Sequence, residues 1–431
     1  MRTEITIDGA DSAGANYIAW APVHSSIRLV DADGGADSVD VLLRNQNPSN
    51  GGQIVFRDAI PGAEQDTLRL RLPVDGTSVD FFFAGKFRHP SVADKDAVIE
   101  VVEANTEDVL STKALMVRIR KNANELTEDE RDRFLSAFAI LNGGGNGRFS
   151  AFRAMHREKT QDEAHNFPGF LAWHRAYLLD LERELQQIDP SVALPYWRFD
   201  QPAPNLFTGE FIGVADNSGT VRFDPGHPLE FWATDGLEGI TRTPDFVTSG
   251  PNAEAATFTF EGNRRLVTNE ARTLRLGRPE YLYARFVRME GDPHGAAHGS
   301  FVAGFITAID TAAKDPLFFL LHANVDRLWA KWQWVRQRFD TTNPATYEFL
   351  SNAGDPGSAR VGHNLNDTMW PWNQVTGGDR PVTAPGGTLA ASPTANAPGP
   401  MPTVGDMIDY QGVINSGNRL GFDYDDVRFE A

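Results

Sequence analysis

Ten histidines occur in this 431-residue chain, and six of them fall into two groups of three. The first group is His156, His165 and His174; the second is His294, His298 and His322. Imidazole titrates near neutral pH and is the commonest metal ligand among side chains. A lone histidine in an apolar stretch is more often a hydrogen-bonded core residue than a ligand. Two groups of three argue otherwise. Burying that many imidazoles beside Leu, Phe and Trp costs free energy unless something pairs with them.

The spacing sharpens this. His294 and His298 are four residues apart, so on a helix they lie about 6 Å apart along the axis and can converge on one ion. His174, Leu178, Leu181 and Leu185 recur at steps of four, three and four, which points His174 inward with the leucines. Pro168 suits the first turn of that helix. His322 sits in the apolar segment from Asp315 to Trp329, and Asp326, one turn beyond, is placed to orient a ring nitrogen of His322 from outside the ligand set. Ligand sets made only of nitrogen suit copper, zinc or nickel. Three histidines with an open position also fit a hydrolytic zinc site. What two such sites add is a pair of metals.

These residues need a scaffold, and the chain supplies two kinds. Residues 1–120 read as strands. Val39–Leu43, Leu68–Leu72, Phe81–Phe83, Val98–Val102 and Leu115–Ile119 alternate or nearly so, with turn clusters at Asp33-Gly34-Gly35 and Asp75-Gly76. That pattern predicts an N-terminal antiparallel β-sandwich. Near Thr127 the period changes. Thr127 with Glu130 forms a capping box, and Phe134, Leu135, Phe138 and Leu141 recur at helical spacing. The boundary is expected at about 121–127, followed by a mainly helical bundle with loops, a single domain over 127–431. Residues 381–403, rich in Pro, Ala, Gly and Thr, predict a long mobile flap. The fold class is thus α+β and multidomain.

Composition closes off other chemistry. There are no cysteines, hence no disulfides, thiolate metal sites or cysteine nucleophiles. Asp plus Glu is 58 against Lys plus Arg at 40, a net charge of −18, which disfavours nucleic acid as a partner. No apolar run is long enough for a membrane span. The first residues carry no apolar signal region, so a cytoplasmic location is expected. His24, His89, His227 and His363 stand alone and read as turn or loop residues.

The histidine segments resemble a known family. His165-Asn166-Phe167-Pro168 through Trp173-His174-Arg175 looks like the first copper-binding motif of the tyrosinase and polyphenol oxidase family. Leu194-Pro195-Tyr196-Trp197 resembles the segment that follows it. Pro293-His294 through His298, then Asp315-Pro316 through Trp329, is similar to the second motif. Leu420 to Asp425 resembles the tyrosine-containing segment that closes the family's core domain. The resemblance covers about residues 125–431.

It implies two copper ions in a type-3 centre, one held by His156, His165 and His174 and the other by His294, His298 and His322. It implies an enzyme that uses O₂ to oxidise small o-diphenols (catechols) to o-quinones, with ortho-hydroxylation of monophenols as a further activity. Three positions depart from the family pattern. Leu321 stands where a second histidine often precedes the last ligand. Gly295 stands where good monophenol hydroxylases often carry Asn, while Glu290 keeps the matching Glu. No cysteine exists to tether His165. Phe318 is expected to stack on a copper-bound imidazole or to fill core, Arg327 to form a structural ion pair, and Ile309 to overhang the second copper. A reversible O₂ carrier on the same centre is the first alternative and a dizinc hydrolase the second. The N-terminal domain is expected to support folding or to shield the mouth of the site.

Overall fold

The computed structural model describes the chain apart from residues 8–15, 33–36, 47–50, 158–160, 167, 350–360, 379, 393 and 431. The turn at Asp33-Gly34-Gly35 and motif residue Phe167 lie outside the described residues. The chain forms two compact units. One comprises 1–119, 392–397 and 410–431; the other comprises 120–391 and 398–409.

The first unit is built from strands β1 (Arg2–Ile7), β2 (Tyr17–Ile18), β3 (Val23–Val30), β4 (Ser38–Asn45), β5 (Ile54–Arg57), β6 (Thr67–Pro73), β7 (Val79–Gly85), β8 (Ala97–Glu103) and β9 (Val109–Val117). One sheet runs β1-β3-β7-β5 and the other β2-β9-β8-β4-β6. All pairings are antiparallel except that of the short β2 with β9, which is parallel. Alternation explains the faces. Along β4, Val41 and Leu43 are buried and sit opposite Leu70 and Leu68 of β6. With Ile27, Phe81, Phe83, Ile99, Val101 and Leu115 they belong to one apolar core. β1, β3 and β5 carry weaker period-2 patterns and were not legible as strands.

The tail 410–431 was expected in the copper domain and instead completes this unit. Asp423 accepts the backbone N–H groups of Trp20 at 2.8 Å and Ala21 at 3.1 Å. The Trp20 indole N–H donates to the Tyr424 carbonyl at 2.8 Å, and Phe429 joins the apolar core. The segment resembling the closing motif is therefore tied down by Trp20 and its neighbours. The Asp423 carboxylate takes buried amides of the first unit, which local sequence could not reveal.

The second unit contains helices α1 (Glu128–Asn142), α2 (Phe149–Met155), α3 (Gln161–Ala164), α4 (Phe170–Ile188), α5 (Glu270–Thr273), α6 (Tyr283–Phe286), α7 (Ala296–His298), α8 (Ile309–Ala312) and α9 (Leu317–Arg336). α1 starts at the Thr127–Glu130 capping box and stops at Gly143, whose φ of 50° is left-handed. α4 is buried along nearly its whole length. Pro168 lies before its first turn rather than in it, and the Pro168 carbonyl accepts the Tyr283 hydroxyl at 2.6 Å. α9 begins after Pro316, with Asp315 accepting the Leu317 N–H at 2.9 Å. The unit is less purely helical than expected: Thr220–Val221, Ile240–Pro244 and Phe301–Gly304 form a small sheet.

α4 and α9 are joined by buried ion pairs. Arg120 meets Glu182 at 2.8 Å and Asp326 at 3.2 Å, and Arg175 meets Asp326 at 2.6 Å. All four side chains are shielded from solvent. The expected mobile flap at 381–403 is irregular but anchored. The Ala390 N–H donates to Asp180 at 2.9 Å, the Ala390 carbonyl accepts Arg183 at 2.9 Å, and the Thr383 carbonyl accepts the Trp370 indole at 3.0 Å.

Candidate metal centre

The six histidines come together in the second unit, each on a different footing. His156 ends α2, His165 follows α3, His174 is in α4, and His322 is in α9. His294 and His298 do not sit on one regular helix. His294 lies in a wide turn over Gly291–Gly295, whose Asp292 is extended, and His298 ends α7. Their ring centroids are nonetheless 4.8 Å apart.

Backbone carbonyls fix the rings. His156 Nδ1 donates to the Ile309 carbonyl at 3.0 Å, His174 Nδ1 to Phe170 at 2.9 Å, His294 Nδ1 to Glu290 at 2.8 Å and His298 Nδ1 to Ile306 at 2.7 Å. A proton committed at Nδ1 leaves a lone pair at Nε2. The Nε2 atoms then face one another: His294 and His298 each stand 3.3 Å from His322 Nε2, and His156 stands 3.2 Å from His165 Nε2. One proton on His322 cannot serve both of its neighbours. His174 Nε2, His165 Nδ1 and His322 Nδ1 are buried without a hydrogen-bond partner among the described residues.

Burial holds all six rings below the ordinary imidazole value, His298 at about 4 and His156 at about 3, so they are neutral near pH 7. Neutral rings with converging lone pairs and orphaned nitrogens are a poor hydrogen-bond network and a good cation cradle. Ligand atoms of His294, His298 and His322 lie within 4.8 Å of one another, as do those of His156, His174 and His322. The grouping of His294, His298 and His322 matches the expected triad. The grouping of His156, His174 and His322 has His322 in place of His165, and the His322 ring stacks on His174 at 4.3 Å; His165 is instead adjacent to His156.

Other expected residues differ in role. Phe318 packs against the rings of His156 at 4.6 Å and His322 at 4.2 Å, so it does touch the histidine cluster. Asp326 does not orient His322: its oxygens receive Arg120 and Arg175, and His322 Nδ1 has no hydrogen-bond partner among the described residues. The side chain one turn along points to the buried arginines because they carry full charges. Ile309 serves His156 of the first group through its carbonyl and also lines the pocket that His294 and His298 line. Arg327 makes the expected ion pair, with Glu270 at 2.5 Å. His363, read as a loop residue, is fully buried, and its Nδ1 accepts the Gly169 N–H at 3.0 Å where α4 begins.

An open pocket of about 460 Å³ reaches the cluster. His156, His165, His294 and His298 line it, with an apolar wall from Ile306, Ala308, Ile309 and Ala312. Glu290 and Gly295 also line it. Glu290 accepts the Asn166 N–H at 2.6 Å, and burial raises its carboxyl to about 7. Asn166 holds a left-handed φ of 62°, a contribution that was not foreseen. Nor were the carbonyls that set the tautomers; Phe170 and Glu290, each four residues before its histidine, lie at helical spacing, whereas Ile309 and Ile306 do not.

The chain is similar to known proteins over the segment that carries the histidines. Residues 146–335 match the family model "Common central domain of tyrosinase". A tyrosinase of Streptomyces glaucescens is 31% identical over 280 residues, covering 61% of this chain and 94% of that protein. An octopus hemocyanin (Enteroctopus dofleini) is 29% identical over 241 residues, 50% of this chain and 7% of that much longer one. Among solved structures, a tyrosinase from Burkholderia thailandensis is 18% identical, covers 71% of this chain and 73% of its own, and has a TM-score of 0.39. With the tyrosinase model over the segment that carries the six histidines, and a tyrosinase matched along almost its whole length, the chain belongs to the tyrosinase family.

Proposed function

We propose that this chain is a type-3 dicopper oxidoreductase that uses O₂ to oxidise o-diphenols to o-quinones, with slower ortho-hydroxylation of monophenols. In this reading His156, His165 and His174 hold one copper, and His294, His298 and His322 hold the other. When bound, the copper pair supplies the two-electron oxidation, with two catechols and one O₂ giving two quinones and two waters. The observation that carries the reading is the cluster of six neutral imidazoles, four of which line a pocket open to small molecules.

The protein's own groups then have definite tasks. Phe318 and Phe170 pack against the imidazoles and hold the rings in place. The apolar wall favours a flat aromatic substrate. Glu290, held by Asn166, stands at the pocket wall to accept a phenolic proton at a carboxylate oxygen. Gly295 offers no side-chain amide to assist it, which favours substrates that are already diphenols.

Oxygen uptake by copper-loaded protein, with a catechol and its matching monophenol side by side, tests the reading. Uptake with the catechol supports it, and the monophenol rate measures what Gly295 withholds. Absence of uptake with both, at two coppers per chain, overturns it and leaves reversible O₂ binding. In His298→Ala, metal analysis is expected to give one copper per chain in place of two.

A further inference from the structure

The lining of the pocket contains one charged side chain that the oxidation does not use. Arg288 lies on the turn Val287–Glu290 and faces the same pocket as Glu290, Gly291 and His294. It is exposed, and among the described residues its guanidinium has no hydrogen bond, ion pair or aromatic partner. We propose that Arg288 selects, among the phenols the pocket admits, those that carry a carboxylate on the ring or on a short side arm. This rests on the reading of the pocket as a phenol site.

The other lining residues leave the position open. The four histidines are neutral rings whose Nε2 atoms turn toward other histidines, and the wall of Ile306, Ala308, Ile309 and Ala312 has no charge. Arg288 is the remaining cation in the lining. Its acidic neighbours in sequence are both engaged: Glu290 with the Asn166 N–H, and Asp292 with Thr268 at 2.7 Å. In a chain of net charge −18, a cation left unpaired at a pocket wall is a place for a ligand's anion. Guanidinium presents a planar fork that matches a carboxylate. Arg288 also sits on the same short run of backbone as His294, six residues on, so a substrate held by its carboxylate keeps its ring at a set reach from the histidines.

The pair to compare is dihydrocaffeate and its neutral amide, as substrates of the copper-loaded full chain. The ratio of their KM values is expected to shift about fivefold against the carboxylate in Arg288→Gln, the size suited to a solvent-exposed ion pair. Arg288→Lys should restore most of the preference, and Arg288→Glu should shift the ratio further. Added salt should erode the preference in the wild type and not in Arg288→Gln. A ratio that Arg288→Gln leaves unchanged overturns the proposal.

Binding of benzoate against benzamide to the full chain, by calorimetry, reads the same contact without turnover. An affinity ratio that falls about fivefold in Arg288→Gln supports the proposal even where no catechol is oxidised, and in that case only the oxidase reading fails. An unchanged binding ratio overturns it whatever the enzyme does.

Discussion

Asn166 and Glu290 are joined across 124 residues of sequence: the Asn166 N–H donates to Glu290 Oε1 at 2.6 Å. The same Glu290 accepts the Nδ1–H of His294 through its own carbonyl at 2.8 Å. One residue thus anchors a ring of the second histidine group and, by its side chain, the backbone next to His165 of the first. A shift at Glu290 moves both halves of the centre together.

Gly295 is the first position to change. Its backbone is helical (φ −59°, ψ −34°), and a Cβ built there meets only the Glu290 carbonyl, at 3.3 Å. Gly295→Asn should fold normally and raise the monophenol-to-catechol rate ratio about tenfold, or about 1.4 kcal/mol of barrier. Oxygen uptake measures it. Adding Glu290→Gln should cancel the gain; a gain that survives would take Glu290 out of the proton step.

Asp326 should prove structural. Asp326→Ala strips the shared partner from Arg120 and Arg175 and is expected to cost about 3–5 kcal/mol, read as a lower urea midpoint. The fraction that remains folded should still bind two coppers per chain. Loss of one copper from folded protein would restore Asp326 as the orienter of His322.

His363 holds the start of α4. His363→Ala leaves the buried Gly169 N–H without its acceptor and should cost about 1–3 kcal/mol. For a unit of this size each kcal/mol lowers Tm by about 2–4 °C. Calorimetry of the full chain reads the shift, and an unchanged Tm would remove His363 from the scaffold.

Asp423 makes the first unit sensitive to pH. Burial raises its carboxyl from 3.8 to about 7, against the N–H groups of Gln411, Trp20 and Ala21, which pull the other way. Between those values the folded chain keeps a proton that the unfolded chain releases. This contribution to stability is therefore full below the ordinary carboxylate value, declines as pH rises, and is lost above about 7. Hydrogen exchange at the Trp20 and Ala21 amides, compared with Asp423→Asn at each pH, should show wild-type protection falling toward neutral pH and a flatter profile in the variant. Parallel profiles would place the titration elsewhere.

How far the sequence could be read follows from what it encodes locally. The six histidines were legible because motif spacing and apolar context sit within short windows. The strands Ser38–Asn45 and Thr67–Pro73 were legible because alternation is local too. Partners far away in the chain were not. Asp326 finds Arg120 across 206 residues, and Asp423 finds Trp20 across 403. The carbonyls of Ile309 and Ile306 carry no side-chain signature at all. Residues 381–403 looked mobile by composition, yet Asp180, Arg183 and Trp370 bind their backbone, and composition is silent about such contacts.

The split of the first unit between 1–119 and 410–431 has a consequence during synthesis. Residues 120–391 are contiguous and can begin to pack as soon as they emerge from the ribosome. The β unit cannot: Trp20 waits for Asp423 and Tyr424, and its core waits for Phe429. Its strands must persist through some 300 residues of further translation with that surface uncovered. The part made first is the part finished last, and a premature stop before Asp423 spares the histidine cluster while stranding the β unit.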